Sequence, residues 1–227
     1  MTWTAGHAAS TIRPLRLLAV ACAVGLASWA PTLHAQAGKH GAYVGTAKIT
    51  YSEGEPPNHV LYRGEVKITI PLVSASARSA RGELDDVAKP SATAQITHFE
   101  KSQRATAPDS AGRINTTTCK LAAPAEVPMM VQGGLDVDYR KKTYGMYFAL
   151  LSVKEVALDC AHSTSGPFKK KEGVILSLGT HEAGLDHPGL PFTDPARLVA
   201  KHSMVAGPGM KDKRAKVEQE WDLQLRR

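Results

Sequence analysis

The chain has 227 residues, 43% of them hydrophobic and 22% charged, with a formal net charge of +7. This mild excess of basic residues has no nucleic-acid-binding motif behind it, which argues against a nucleic-acid partner. Beyond the N-terminal region there is no apolar run of membrane-spanning length, so we expect no transmembrane segment in the remainder of the chain.

The N-terminus has the three parts of a secretory signal peptide. Arg13 and Arg16 precede the uncharged apolar run Leu17–Ala30, and small residues follow at Ala35 and Ala37. This run of 14 residues is shorter than the roughly 20 needed to span a bilayer. The pattern predicts a helical signal peptide that is cleaved after Ala37, with Ala35 as the alternative. A buried or membrane-anchoring helix is the competing interpretation.

The predicted cleavage leaves residues 38–227 as one domain, which is large enough to bury a core. These residues carry 26 basic and 21 acidic side chains, a net charge of +5. The basic residues cluster in the short runs Arg140–Lys142, Lys169–Lys171 and Lys211–Lys216. We expect each run to lie in a solvated turn, although such a surface could also attract an anionic envelope polymer or lipid.

The cysteines indicate an oxidising compartment. Cys22 falls inside the apolar run, where a lipoprotein anchor is the alternative, but the run continues past it and suits an ordinary signal core better. Cys119 and Cys160 remain, and an even pair in an exported protein usually forms a disulfide. The loop-entropy relation gives a bridge of this span about 4 kcal/mol. A free catalytic thiol is the competing interpretation.

Alternation of apolar and polar residues dominates the predicted mature chain. At the C-terminus, Val217–Leu225 places every apolar residue, together with Gln219, on one face, which predicts a half-buried β-strand. Upstream, Gly134–Leu150 predicts a β-hairpin with its turn in Arg140–Thr143. In that register the apolar pairs on one face are Tyr139 with Tyr144, Val137 with Met146 and Leu135 with Phe148.

Further segments bring the predicted number of strands to about nine. The segments with this pattern are 42–52, 59–73, 93–101, 113–121, 152–160 and 173–180. Residues 74–92 and 102–112 are expected to be loops, with one helical turn possible at Glu83–Ala88. A short helix is predicted after Asp194, because Asp194 could cap it and Pro195 suits a first helical position.

Many antiparallel strands joined by polar turns predict an all-β protein. The expected architecture is a single-domain β-sandwich or closed barrel, preceded by the signal peptide. The sequence does not separate these two architectures.

One segment resembles a metal site in its composition. Within seven positions it holds His181, Glu182, Asp186 and His187, all of them residue types that bind zinc or copper. The helical zinc-protease motif needs histidines four apart, whereas these are six apart, so that motif is excluded. A loop could still gather the four residues around a metal, with His162 or His202 added from elsewhere. The competing interpretation, which we favour, is a polar loop.

Other catalytic patterns are weaker. Ser177 lacks the first glycine of a nucleophile elbow. Two sets of carboxylates alternate along strands at spacings that suit acid–base chemistry, but a solvated strand face opposite the core is the interpretation we favour. The sets are Asp136 with Asp138, and Glu218 with Glu220 and Asp222. For carbohydrate stacking only Tyr147 is a plausible exposed aromatic.

The sequence therefore predicts an exported, periplasmic or secreted β-domain with a non-catalytic binding or structural role in the cell envelope. No cofactor is expected and the partner is not specified. Two alternatives stay open: a metal-binding protein that uses the His181–His187 loop, and a basic surface that binds anionic polysaccharide or lipid.

Overall fold

The described part of the chain forms one antiparallel sheet of thirteen strands. The structure, a computed structural model, describes residues 40–86, 90–180, 189–206 and 215–227. The strands in chain order are β1 (Ala42–Glu55), β2 (Asn58–Ala75), β3 (Ser79–Asp86), β4 (Ala92–Arg104), β5 (Thr116–Leu121), β6 (Ala125–Asp138), β7 (Thr143–Ser152), β8 (Val156–His162), β9 (Gly166–Glu172), β10 (Ile175–Gly179), β11 (Leu190–Pro191), β12 (Arg197–Ala206) and β13 (Ala215–Arg226). The predicted all-β class is confirmed. Within the described ranges, no helix has the length and apolar character to cross a membrane.

The strand order follows hairpins and longer crossovers. Along the sheet the order is β12-β13-β1-β2-β3-β6-β4-β5-β8-β9, with β2 also paired to β4. Strand β7 pairs with β6 on one side and with both β10 and β11 on the other. No ladder among the described residues joins β10 or β11 to β12. Strand β10 is instead linked to β13, where the Gln219 side chain accepts the Gly179 N–H at 2.9 Å.

The core lies on one side of the sheet because apolar residues alternate along the strands. On β13 the buried residues are Ala215, Val217, Gln219, Trp221 and Leu223, which confirms the strand predicted at the C-terminus. The same alternation continues on β1, β2, β6 and β7, and their buried side chains form a single cluster. Burial of that face is the main favourable contribution to the stability of the fold.

The predicted hairpin is present, but its predicted register is wrong. Val137 pairs with Tyr144 and Leu135 with Met146, a shift of two residues from the predicted pairing. The turn begins one residue earlier, because the Asp138 carboxylate accepts the backbone N–H groups of Arg140 and Lys141, both at 2.9 Å. A shift of two leaves every apolar side chain on its predicted face.

Four strands were not predicted. In β3 the inward residues are small, Ala80 and Gly82 before Leu84, and they hide the alternation. Strand β9 contains Lys169–Lys171, which we had expected in a turn, and the two-residue β11 has no sequence signal of its own.

The helix predicted after Asp194 is also wrong. Residues Arg197–Ala206 form β12 and pair with β13 along their whole length. Asp194 instead stabilises a tight turn before the strand, where its side chain accepts the Ala196 N–H at 2.8 Å. Its backbone carbonyl accepts the Arg197 N–H at 3.1 Å. Pairing with a neighbouring strand has overridden the local helix signal.

Candidate functional site: a polar trough on the sheet

The two predicted cysteines form a disulfide. Cys119 on β5 lies directly opposite Cys160 on β8, with their Cα atoms 4.0 Å apart. Both are buried. Beside the bridge, the Lys101 ammonium lies 2.6 Å from the Glu172 carboxylate. The disulfide therefore joins the strands that lead to β9 at one end of the sheet.

The predicted metal loop lies outside the described residues. His181, Glu182, Asp186 and His187 all belong to residues 181–188. The described residues on either side of this segment both pair with β7. Thr180 donates its N–H to the Met146 carbonyl, and Leu190 lies opposite Tyr144. In the described part of the chain no group of three or more His, Cys, Asp or Glu residues is arranged to hold a metal.

The two histidines considered as additional ligands lie on different strands. At the end of β8, the His162 Nδ1 atom lies within 3.3 Å of the backbone nitrogens of Thr164 and Ser165, and so caps the β8–β9 turn. His202 lies on β12 at an inward, half-buried position, and its ring centre is 6.4 Å from that of Trp221. The structure does not bring these two side chains to a common contact.

Three carboxylates of the predicted sets serve as partners of basic groups or of a turn. Asp138 caps the hairpin turn, Glu218 binds the Lys216 ammonium at 2.6 Å, and Asp222 binds Arg197 through two nitrogens. The hydrogen bond from Arg197 holds the pKa of Asp222 below its ordinary value. Hydrogen bonds from the Lys141 backbone and the Lys216 side chain likewise lower the pKa of Asp138 and of Glu218. These three carboxyls therefore favour their ionised form, which a general acid at neutral pH would not.

A shallow trough of about 710 Å³ lies on the sheet and was not predicted. Its lining comes from β1, β2, β12 and β13, together with Thr97 of β4. The charged lining residues occupy outward positions of β1, β2, β12 and β13. They are Lys48, Arg63, Lys201, Glu65, Glu218 and Glu220. We call the outward side of β12, β13, β1 and β2 the charged face.

The charges of this face alternate in sign from strand to strand. Lys201 lies opposite Glu220, Glu220 opposite Lys48, and Lys48 opposite Glu65. Directly opposed side chains on one face have Cβ atoms about 4.5–5.5 Å apart, near enough for each charge to interact with the next. The Lys216 ammonium and the Lys201 charge together lower the pKa of the Glu218 carboxyl. The trough thus presents basic and acidic groups in equal number.

A β-bulge shapes one wall of the trough. The register between β2 and β4 shifts after Arg63, so that Thr97 is an extra residue on β4. Its hydroxyl donates to the Arg63 carbonyl at 3.2 Å. Bulges redirect side chains at the surface of a sheet, and this one adds a hydroxyl group to a lining that also contains Thr50 and Ser203.

Next to the trough, one carboxylate lies between two histidines. Glu100 Oε1 is 3.4 Å from His59 Nε2, and Glu100 Oε2 is 3.9 Å from His98 Nε2. Lys120 approaches the same carboxylate at 3.7 Å. These contacts tie β2, β4 and β5 together on the outward side of the sheet.

The outward side of β10, together with residues 130–134 of β6 and 147–151 of β7, has a different character, and we call it the uncharged face. Its first row is Met130, Leu151 and Ile175, and its second is Gln132, Ala149 and Ser177. Leu151 and Ile175 are 44% and 61% exposed, which makes them prominent apolar groups on the surface. Tyr147, proposed from the sequence as an exposed aromatic, is half-buried against the core.

Sequence reasoning missed the trough because one of its four strands was predicted as a helix. Lys48 and Glu65 already stood at polar positions of predicted strands, and Glu218 and Glu220 at those of the last strand. Without β12 there was no reason to place Lys201 beside them. The signal that could have found it is the alternation of Leu198, Ala200, His202 and Met204.

Comparisons of this chain with models of protein families, with curated proteins and with solved structures found no match.

Proposed function

We propose that this chain is an exported, non-catalytic β-domain that binds a polar component of the cell envelope in the trough. In this proposal residues 1–37 are a cleaved signal peptide and residues 38–227 fold as a single β-sandwich or closed barrel in the periplasm or outside the cell. The observation that carries the proposal is the trough of about 710 Å³ with its alternating charges. The buried Cys119–Cys160 bridge supports an oxidising compartment.

The lining favours a ligand that bears hydroxyl groups and charges of at least one sign. Lys48, Lys201 and Arg63 can bind carboxylates or phosphates, and the facing glutamates can accept hydrogen bonds from hydroxyl or ammonium groups. Polysaccharides that carry acidic or amino substituents have this chemistry. Because the opposed charges neutralise one another, we expect binding to depend on hydrogen-bond geometry more than on net attraction.

Nuclear magnetic resonance of the purified chain tests the ligand site. Titration with soluble fragments of envelope polysaccharide should shift the amide resonances of Lys48, Glu65 and Glu220. The double variant Lys48→Ala/Lys201→Ala should weaken that binding at least about tenfold, whereas Lys142→Ala in the β6–β7 turn should not. Shifts that avoid the trough, or an unchanged affinity in the double variant, would contradict the proposal.

Cell fractionation tests the proposed compartment separately. We expect the exported protein to begin at residue 38 or 36 and to contain a disulfide that resists alkylation until a reductant is added. Replacing Arg13 and Arg16 with glutamate should retain the unprocessed chain inside the cell, because the positive flank is part of the export signal. A full-length reduced chain in the cytoplasm would refute this part.

A specific observation also favours the alternative of a basic docking surface. On β9, Lys169, Lys170 and Lys171 are consecutive and exposed. Asp159 opposes Lys169 and Glu172 binds Lys170 at 2.9 Å, which reduces the local excess of positive charge. If anionic polymer or lipid docks here, binding to anionic vesicles should fall steeply between 0.05 and 0.5 M salt, taken as roughly a threefold change in screening length. It should also disappear when the three lysines are replaced by glutamine.

A further inference from the structure

The three basic residues that line the trough have different neighbours. Lys48 and Lys201 each have a glutamate directly opposite on an adjacent strand. Arg63 instead lies between Thr50 of β1 and His98 of β4, neither of which carries a carboxylate. Directly opposed side chains are the closest cross-strand neighbours on one face of a sheet. The positive charge of Arg63 is therefore the least compensated of the three.

The Arg63 side chain is also free to bind another group. It is exposed, and the hydrogen bond that Thr97 makes to this residue ends on the backbone carbonyl. Within the described part of the chain no hydrogen bond or ion pair involves its guanidinium group. Arg197, by contrast, binds Asp222 through two nitrogens, at 2.9 and 2.6 Å. A free guanidinium can bind the two oxygens of an external carboxylate or phosphate in the same way.

The two acidic side chains that flank Arg63 are engaged by other basic groups. Glu100 of β4 contacts two histidines and Lys120, at 3.4, 3.9 and 3.7 Å. Glu65 lies two residues from Arg63 along β2, about 7 Å away, and faces Lys48 on β1. An anion from outside the chain would therefore meet little competition at Arg63.

The carboxylates of the lining offer no equivalent position to a cation. Glu220 and Glu65 both lie opposite Lys48, and Glu218 binds the Lys216 ammonium at 2.6 Å. A cationic ligand would have to compete with a lysine at each of these glutamates. The arrangement thus favours an acidic ligand over an amino-substituted one.

Two hydroxyl groups adjoin Arg63 and suit a sugar acid. Thr50 lies directly opposite on β1, and its hydroxyl can donate a hydrogen bond to an oxyanion. The Thr97 hydroxyl donates its proton to the Arg63 carbonyl at 3.2 Å, so its oxygen remains able to accept a hydrogen bond from a hydroxyl of the ligand. All three residues line the trough. They match an acid group that has hydroxyl groups close to it.

We propose that Arg63 binds an oxyanion substituent of the trough's ligand, a carboxylate or a phosphate on a hydroxyl-bearing sugar, through two parallel N–H···O hydrogen bonds. This inference rests on the proposed function and adds that the ligand is acidic. It also orients the ligand, because Glu218 and Glu220 at the β13 side of the lining repel an anion. The acid group lies over β2, and the hydroxyl groups extend toward β13.

Nuclear magnetic resonance titration of the purified chain with three related disaccharides tests this subsite. Cellobiose is neutral, cellobiouronic acid carries one carboxylate on the same skeleton, and cellobiose 6′-phosphate carries one phosphate. At least one acidic disaccharide should bind at least about tenfold more tightly than cellobiose. Its largest amide shifts should lie at Thr50, Arg63 and Thr97. The two acidic disaccharides show whether the oxyanion is a carboxylate or a phosphate.

Substitutions of Arg63 test the contact itself. Arg63→Gln should weaken binding of the acidic disaccharide at least about tenfold and leave cellobiose binding unchanged. Arg63→Lys keeps the charge but loses the planar fork, so it should weaken the acidic disaccharide at least about threefold. Arg81→Gln is the matched control, because Arg81 is also exposed on an outward position, on β3, but does not line the trough. It should leave every affinity unchanged, and circular dichroism should show the same fold in all variants.

The outcomes distinguish this inference from the proposed function. If cellobiose and the acidic disaccharides shift the trough amides with equal affinity, the role of Arg63 is overturned and the trough remains a binding site. Full affinity for the acidic disaccharide in Arg63→Gln or in Arg63→Lys also overturns the inference alone. If neither acidic disaccharide binds, the inference is overturned, and the titration with polysaccharide fragments decides the proposed function separately.

Discussion

The charged face and the uncharged face cover two regions of the sheet whose inward residues are alike and whose outward residues differ. Inward, both contribute alternating apolar residues to one cluster. Outward, the charged face sets Lys201, Glu220, Lys48 and Glu65 in a row, whereas the first row of the uncharged face is Met130, Leu151 and Ile175. The fold depends on the inner pattern, so the outer positions can differ between regions. That freedom lets the two regions of one sheet present different surfaces.

Two side-chain contacts join these regions through the interior. The Trp221 Nε1–H group of β13 donates to the Tyr144 hydroxyl of β7 at 3.0 Å. Gln219 of β13 accepts the Gly179 N–H at 2.9 Å and donates to the Gly179 carbonyl. The glycine also allows β10 to lie close to β7, since a Cβ at position 179 would be 2.6 Å from the Met146 carbonyl oxygen. The two regions therefore share one core, and these polar contacts hold its strands in place.

The largest effect is expected from Trp221→Ala. Trp221 is 1% exposed and is the largest side chain in the core that both regions share. Its removal leaves a cavity and should lower the free energy of unfolding by about 3–5 kcal/mol. Urea denaturation followed by circular dichroism measures the loss, with Val199→Ala on the exposed side of β12 as the control. A loss below about 1 kcal/mol would show that the two regions fold without this contact.

A smaller effect is expected from Gln219→Leu. The substitution keeps similar volume but leaves the Gly179 N–H and carbonyl without their partner, at a cost of about 1–3 kcal/mol. The amide exchange rate of Gly179 should rise by more than global unfolding explains, because the contact acts locally. Gln224→Leu, at an exposed position on the same strand, should change neither quantity. Equal behaviour of the two variants would contradict the role given to Gln219.

Alkaline pH should weaken the same junction. Burial raises the pKa of Tyr144 to about 12, although the hydrogen bond from Trp221 opposes the rise. The phenol of an unfolded chain titrates near 10, so the stabilising contribution of this group is complete below about pH 10 and is lost as pH rises toward about 12. Tyr144→Phe should cost about 0.5–1.5 kcal/mol at neutral pH. Its stability should also decline less steeply between those pH values in urea titrations. An unchanged slope would show that Tyr144 does not titrate with unfolding.

The smallest expected effect separates the two outer faces directly. Lys48→Glu places a carboxylate between Glu220 and Glu65 and should destabilise the fold by about 0.2–1 kcal/mol. Ala149→Glu introduces the same group on the uncharged face, between Gln132 and Ser177, and should stay within about 0.5 kcal/mol. Adding 1 M salt should reduce the first penalty by screening. If salt has no influence on Lys48→Glu, the row of alternating charges does not interact as described.

Particular residues show how far sequence reasoning could reach. The alternation from Val217 to Leu225 is complete enough to predict the last strand. The polar residues Arg140–Thr143 predict a hairpin because they separate two alternating apolar segments. Its register was two residues out, since the Asp138 contacts that fix the turn carry no periodic signal. At Arg197–Ala206 a plausible helix start competed with a weak alternation, and pairing with β13 decided the outcome.

The sequence by itself determined that this chain is all-β and that Cys119 and Cys160 can be joined, because period-two burial is a local property of the order of residues. The tertiary structure decided which strands become neighbours. Only that neighbourhood creates the row from Lys201 to Glu65 and the contact of Gln219 with Gly179. Residues far apart in the chain become neighbours through hydrogen-bonded pairing, and the linear pattern of one strand contains no information about its neighbour's charges.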